Sequence, residues 1–261
     1  MDFSHFKNYY FMHCFSEEKH RKEFNKGEKI YINSVQYFHD LEDEFQRDFE
    51  GGILRQEPNK NGFFLFSKSN LTADEAINKT INHQLENDEL LIPTSDFKIY
   101  INGYIFCLTL IPKCYLRIRD NEIVFNENHN IASCFYYLLN QYTKNCKYTY
   151  ISLYDAQYFM EIFYSQMTNK GYSISYGCVN YEKLSQEQRF KYYSKKDISK
   201  LIFTKDDKFD YQNEFRIFLH KPGKEVQGHI EEVGIDLQSS VVKDLVYLSP
   251  KYVSELELNK K

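Results

Sequence analysis

The stretch Phe209-Asp210-Tyr211-Gln212-Asn213-Glu214-Phe215-Arg216-Ile217-Phe218-Leu219 constrains this chain more than any other. It reads as a strand entered through an aromatic, polar turn. Strand side chains alternate with period two. Gln212, Glu214 and Arg216 would then share one side, while Phe215, Ile217 and Leu219 face a core on the other. Burying Phe, Ile and Leu behind the strand fixes an amide and a carboxylate in front of it. Such a rigid platform suits a reacting group. The same alternation also describes an ordinary half-exposed strand with a polar outer face, so the rest of the chain must decide between a site and a surface.

The length, 261 residues, suffices for a sizeable core. Tyr (23) and Phe (22) are abundant and Trp is absent, which implies a core built on aromatics. With a net charge of −4, no global basic field draws the chain to nucleic acid or to an anionic membrane. Six cysteines occur without a C-x-x-C pair, which predicts free buried thiols in a reducing compartment. No secretory signal and no span-length apolar run is visible, so a cytoplasmic protein without membrane association is expected.

In chain order, residues 9–16 read as a first strand, and Ser16 with Glu17 and Glu18 opens a short helix that stops at Gly27. A second strand covers 28–34, and a short helix follows over 35–43. Strands are expected on either side of a turn at 58–62. Residues 71–96 are polar and read as an insertion, a lid or a decoration. Asn102-Gly103 signals a hairpin within 99–112, and Asp120-Asn121 another within 115–125. Helices are predicted over 131–141, 155–169 and 185–200, and strands over 148–153, 172–181, 230–237 and 241–248. With no repeat and no linker, the simplest architecture is a single α+β domain over 1–261, with a mixed or antiparallel split sheet and flanking helices.

Absent motifs exclude several chemistries. There is no Walker A sequence, no G-x-G-x-x-G, no H-E-x-x-H and no G-x-S-x-G. The acids Asp40, Glu42, Asp43, Glu44, Asp48 and Glu50 fail the EF-hand pattern because Phe45 stands where a Gly is needed. A charge run of this kind is usually a solvated face, and no metal is expected. His13 and Cys14 are adjacent on a strand and point to opposite faces, so they do not form a nucleophile–base pair.

What remains is His13 on the first strand, the aromatic segment Tyr31–Phe38, and Gln212-Asn213-Glu214 late in the chain. This order resembles that of ADP-ribosyltransferases. They carry a polar residue on an early strand, an aromatic and Ser-containing segment next, and a late [Gln/Glu]-x-Glu strand. It is also similar to a group of bacterial and phage proteins that share segments like Tyr37-Phe38-His39-Asp40-Leu41-Glu42-Asp43 and Gln212-Asn213-Glu214-Phe215-Arg216. The resemblance covers about forty residues in three pieces. It departs from the Gln-x-Glu subclass in having His13 where an Arg is usual.

The resemblance implies an ADP-ribosyltransferase-like fold and a mono-ADP-ribosyltransferase that consumes NAD as substrate. An intracellular toxin of a toxin–antitoxin or anti-phage system would fit, with a protein or nucleic-acid acceptor and an antitoxin or chaperone as partner. Glu214 would stabilise the positive charge on the ribose and Gln212 would orient the acceptor. His13 would bind the adenosine ribose. Tyr31 and Ser34 would support the nicotinamide pocket, with Tyr37 or Phe38 stacking on the ring. Lys191, Lys195, Lys196 and Lys200 with Tyr192 and Tyr193 form a basic, aromatic patch suited to a phosphate backbone, or simply a solvated helix face. Arg216 could instead pair with an acid of the 40–50 stretch. Removing Glu214 is expected to cost rate with little stability, provided it is exposed in a cleft. Two other readings stand beside this one: a non-catalytic phage or host binding protein, and a metal-dependent nuclease using the 40–50 acids.

Overall fold

A computed structural model describes residues 1–27, 30–35, 37, 53–55, 63–66, 90–93, 98–119, 122–125, 136–137, 139–140, 148–185, 188–189, 192, 197–224, 226 and 230–248. The strands are β1 (Tyr9–Phe15), β2 (Ile30–Ser34), β3 (Ile53–Arg55), β4 (Phe63–Phe66), β5 (Leu90–Pro93), β6 (Lys98–Tyr100), β7 (Tyr104–Pro112) and β8 (Leu116–Arg119). They continue with β9 (Glu122–Phe125), β10 (Tyr148–Asp155), β11 (Ser173–Cys178), β12 (Asn180–Tyr181), β13 (Thr204–Lys205), β14 (Glu214–His220), β15 (Ile230–Val233) and β16 (Val241–Leu248). The helices are α1 (Glu18–Asn25), α2 (Ala156–Asn169) and α3 (Ile198–Ile202).

One eight-stranded sheet organises these elements in the order β11-β14-β7-β1-β10-β16. Every ladder in it is antiparallel. β7 is the hub. Residues 104–109 pair with β14 along one edge, while the other edge is divided between two partners. Residues 109–112 pair with β1, and residues 104–105 pair with β2, which in turn carries β15. The result is an α+β domain in which few helices flank a mainly antiparallel sheet.

Period-two alternation decides which side each residue buries. Phe11, Phe106, Leu108, Phe215, Ile217 and Leu219 lie on one face and form the main core with α2. α2 brings Phe159, Met160, Phe163 and Met167 onto one stripe, each fully buried, as a helix packed on a sheet requires. The Asp155 carboxylate caps α2 by accepting the Tyr158 backbone N–H at 3.2 Å. The opposite face carries two smaller cores, one around Met12, Ile111 and Leu153 and one around Ile105, Ile202 and Phe218.

Several expectations need correction. Residues 209–212 are not strand. A 3-10 helix runs over Asp207–Gln212, Asn213 takes the left-handed conformation (φ 43°), and β14 begins only at Glu214. The chain does turn at Asn102-Gly103, yet β6 pairs with β3 while β7 joins the main sheet, so the two strands are not a hairpin. The 115–125 hairpin is present, with Arg119 opposite Glu122. The cysteines described are free, but Cys114 and Cys178 are exposed rather than buried. Among the described residues no helix is long and apolar enough to cross a membrane. The 40–50 acids, Phe38, most of the 71–96 segment, Lys191, Tyr193, Lys195 and Lys196 lie outside the described residues.

Candidate functional site

Glu214 is the first residue of β14 and is 8% exposed. Its carboxylate is held from two sides. Arg216, two residues along the same strand, donates from Nε to Oε1 at 2.6 Å, and Lys205 donates from Nζ to Oε2 at 3.0 Å. Both cations are themselves buried. Arg216 is fixed further by donating from Nη1 to the Ile202 carbonyl at 2.6 Å. Arg216 therefore pairs with Glu214 within its own strand, and the acids of the 40–50 stretch lie outside the described residues.

Burial by itself would push the Glu214 carboxyl up. The Arg216 guanidinium and the Lys205 ammonium outweigh that and hold it well below the usual carboxylate range, with help from the Cys107 thiol. Burial pushes the Cys107 thiol far up, so it stays protonated and donates to the carboxylate. Glu214 is thus an ionised carboxylate kept in a largely dry setting.

Gln212 meets Glu214, though not by the strand alternation that the sequence suggested. The left-handed turn at Asn213 separates them. Lys205 rejoins them, because its Nζ also donates to Gln212 Oε1 at 2.8 Å while lying 4.8 Å from the centre of the Phe209 ring. The backbone of Glu214 is gripped as well. Its N–H donates to the Tyr181 hydroxyl at 2.8 Å, and its carbonyl accepts the Val179 N–H at 2.9 Å. Tyr181 and Lys205 are register partners in the short parallel ladder of β12 and β13. One small ladder therefore holds both the main chain and the side chain of Glu214.

A cleft of about 390 Å³ opens beside this carboxylate. Glu214 forms part of its wall, together with Tyr9, Thr109, Tyr181, Tyr211 and Asn213. Three aromatic rings and a few polar groups around one ionised residue is the usual make-up of a small-molecule site.

The other residues singled out from the sequence are not gathered here. Thr109 of β7 lies opposite Glu214 on one side and Met12 on the other. Met12 and Glu214 therefore share a face, and His13, one residue on, faces the other. There its ring packs against Phe15, Phe24 and Phe106 at 4.6, 5.1 and 5.3 Å between centres. Burial pushes the His13 imidazole down to about 4, against the opposing effect of the Cys107 carbonyl, so it is neutral at pH 7. Ser34 is 1% exposed and its Oγ accepts the Tyr37 backbone N–H at 3.1 Å, the arrangement of a helix cap. Tyr31 is 47% exposed on β2, where it pairs with Glu232 of β15. Tyr37 is half-buried at the capped turn.

Lys205, Tyr181 and Tyr211 belong to the site and were missed in the sequence. Lys205 follows Phe203-Thr204 in a segment with no pattern of its own. Only a parallel pairing with a strand more than twenty residues upstream, Tyr181 opposite Lys205, brings it to Glu214. No family model, curated protein or solved structure matches the chain.

Proposed function

We propose that this protein is an ADP-ribosyltransferase that cleaves NAD in the cleft beside Glu214. The observation that carries the reading is a single one: Glu214, whose buried carboxylate two cations keep ionised, is among the residues that line a cleft rich in aromatics. Breaking the nicotinamide–ribose bond builds positive charge on the ribose. A fixed carboxylate stabilises that charge more in the transition state than in the ground state. The bonding pair leaves with nicotinamide. The nucleophile of the acceptor then bonds to the anomeric carbon and gives up its proton.

A carboxylate has about four acceptor positions. One cation on each oxygen of Glu214 leaves room for a ribose hydroxyl. Tyr9, Tyr181 and Tyr211 offer faces for a planar ring. The proposed site differs from the one drawn from the sequence. It keeps Glu214 and Gln212 and adds the cleft residues, without His13, Tyr31, Ser34 and Tyr37. The acceptor is a protein or a nucleic acid, and the fold would be of the ADP-ribosyltransferase type.

One observation favours a second reading, a binding module without chemistry. Both oxygens of Glu214 already face a cation, which weakens the field it presents to a developing positive charge. Incubating the protein and its Glu214→Gln variant with labelled NAD and a cell lysate separates the two. Nicotinamide release, or label on macromolecules, from the wild type alone supports the transferase. Protease and nuclease treatment then names the acceptor class. NAD that binds and survives intact favours the binding module.

A further inference from the structure

We infer that Lys205 is the positioning residue of this site. It assembles Gln212 and Glu214 into one unit and sets how easily Glu214 takes up a proton. The inference rests on the transferase reading where it concerns rate, and stands apart from it where it concerns the carboxylate.

Neither residue would be held beside the other by local geometry. Gln212 ends a 3-10 helix, Glu214 starts a strand, and the residue between them is left-handed. The Lys205 ammonium has three donors and reaches both, at 2.8 and 3.0 Å. Its own backbone is tied down, since its carbonyl accepts the Glu182 N–H at 2.9 Å. The preceding step of the same ladder pairs Asn180 with Thr204, and the Asn180 N–H donates to the Phe203 carbonyl at 2.8 Å. The ladder that anchors Lys205 also supplies the Tyr181 hydroxyl to the Glu214 main chain. The other cation, Arg216, sits on the same strand as Glu214 and moves with it. Lys205 comes from outside that strand, as does the Cys107 thiol, and it is the cation that ties the carboxylate to Gln212.

The test compares the wild type with Lys205→Met and Lys205→Arg. One measurement is the pH profile of NAD cleavage. The other is a ¹³C NMR titration of the Glu side-chain carboxyls, with the Glu214 signal assigned by its loss in Glu214→Gln. Losing the ammonium should lower kcat by roughly 10²-fold, as a misplaced reacting group does, with KM changed far less. The acid limb of the profile and the Glu214 titration should both move to higher pH, and Lys205→Arg should restore part of each. A Lys205→Met protein with unchanged kcat and an unshifted Glu214 signal overturns the inference.

If the wild type does not cleave NAD, the transferase reading falls, and the Glu214 titration alone decides the role of Lys205. If Lys205→Met does not fold, the ¹⁵N ammonium signal of Lys205 is compared between wild type and Glu214→Gln. A large change supports the contact, and identical signals overturn it.

Discussion

His13 and Glu214 lie on opposite faces of the same sheet, fixed there by Thr109, which stands opposite both Met12 and Glu214. The His13 ring packs among Phe15, Phe24 and Phe106, while the Glu214 carboxylate is held by Arg216 and Lys205. Each residue has its own surroundings, and each gives a separate prediction.

Glu214 matters to stability. It is buried between two buried cations, so Glu214→Ala leaves Lys205 and Arg216 without their carboxylate. Breaking a buried pair from one side costs about 3–5 kcal/mol. Denaturant unfolding should show a loss of that size for Glu214→Ala and a smaller one for Glu214→Gln, which keeps the shape. A loss under about 1 kcal/mol for the alanine variant, the level of exposed ion pairs, would mean that the cluster is solvated.

His13 predicts an acid sensitivity of its own. Its folded value is about 4 against an ordinary 6.5, so the unfolded chain binds the extra proton first. The contribution is therefore fully present above pH 6.5 and is lost as pH falls from there toward 4. At 1.36 kcal/mol per unit, roughly 2–3 kcal/mol is at stake once partial exposure is allowed for. His13→Phe should flatten the stability curve between pH 6.5 and 4 in urea melts. Glu214, also depressed, acts in a lower window: its contribution fades only below the ordinary carboxylate range.

Asn213 is the hinge between Gln212 and Glu214, and its φ of 43° suits Asn or Gly. Asn213→Gly should melt within about 0.5 kcal/mol of the wild type, whereas Asn213→Val should lose about 1–2 kcal/mol from the left-handed strain alone. Equal thermal stability for the two variants would show that the turn relaxes.

Asn25 closes α1 onto the sheet. Its amide donates to Ser152 Oγ and Asp244 Oδ1, both at 3.1 Å, while its Oδ1 accepts the Tyr154 hydroxyl at 2.7 Å. Asn25→Ala takes one partner from the buried Tyr154 hydroxyl, which keeps Ser152, and should cost about 1–2 kcal/mol. Adding Tyr154→Phe should cost less in this background than in the wild type, because the Asn25 contact is already gone. Full additivity of the two substitutions in chemical denaturation would contradict the network.

The sequence showed clearly what local patterns govern. Alternation placed Phe215, Ile217 and Leu219 on the core side of β14, and the helix expected over 155–169 is α2. The pairing of β8 with β9 was visible from the Asp120-Asn121 signal between them. The face of β1 relative to β14 was not visible, because it depends on β7 lying between them with a particular register. Lys205 was hidden for the same reason: a parallel pairing of two residues leaves no periodicity. Gln-x-Glu suggested a pair for the wrong cause, since an ammonium group rather than the pleat joins it.

The hub position of β7 bears on how the chain folds. Its neighbours are remote in sequence: Met12 of β1 and Glu214 of β14 both meet Thr109. Such pairings form slowly, because long loops must close before any contact rewards them. During synthesis β7 emerges long before β14, and one of its edges stays open until then. Glu214 and Arg216 lie on β14 itself, so their cluster with Lys205 cannot lose its water before β14 docks on β7.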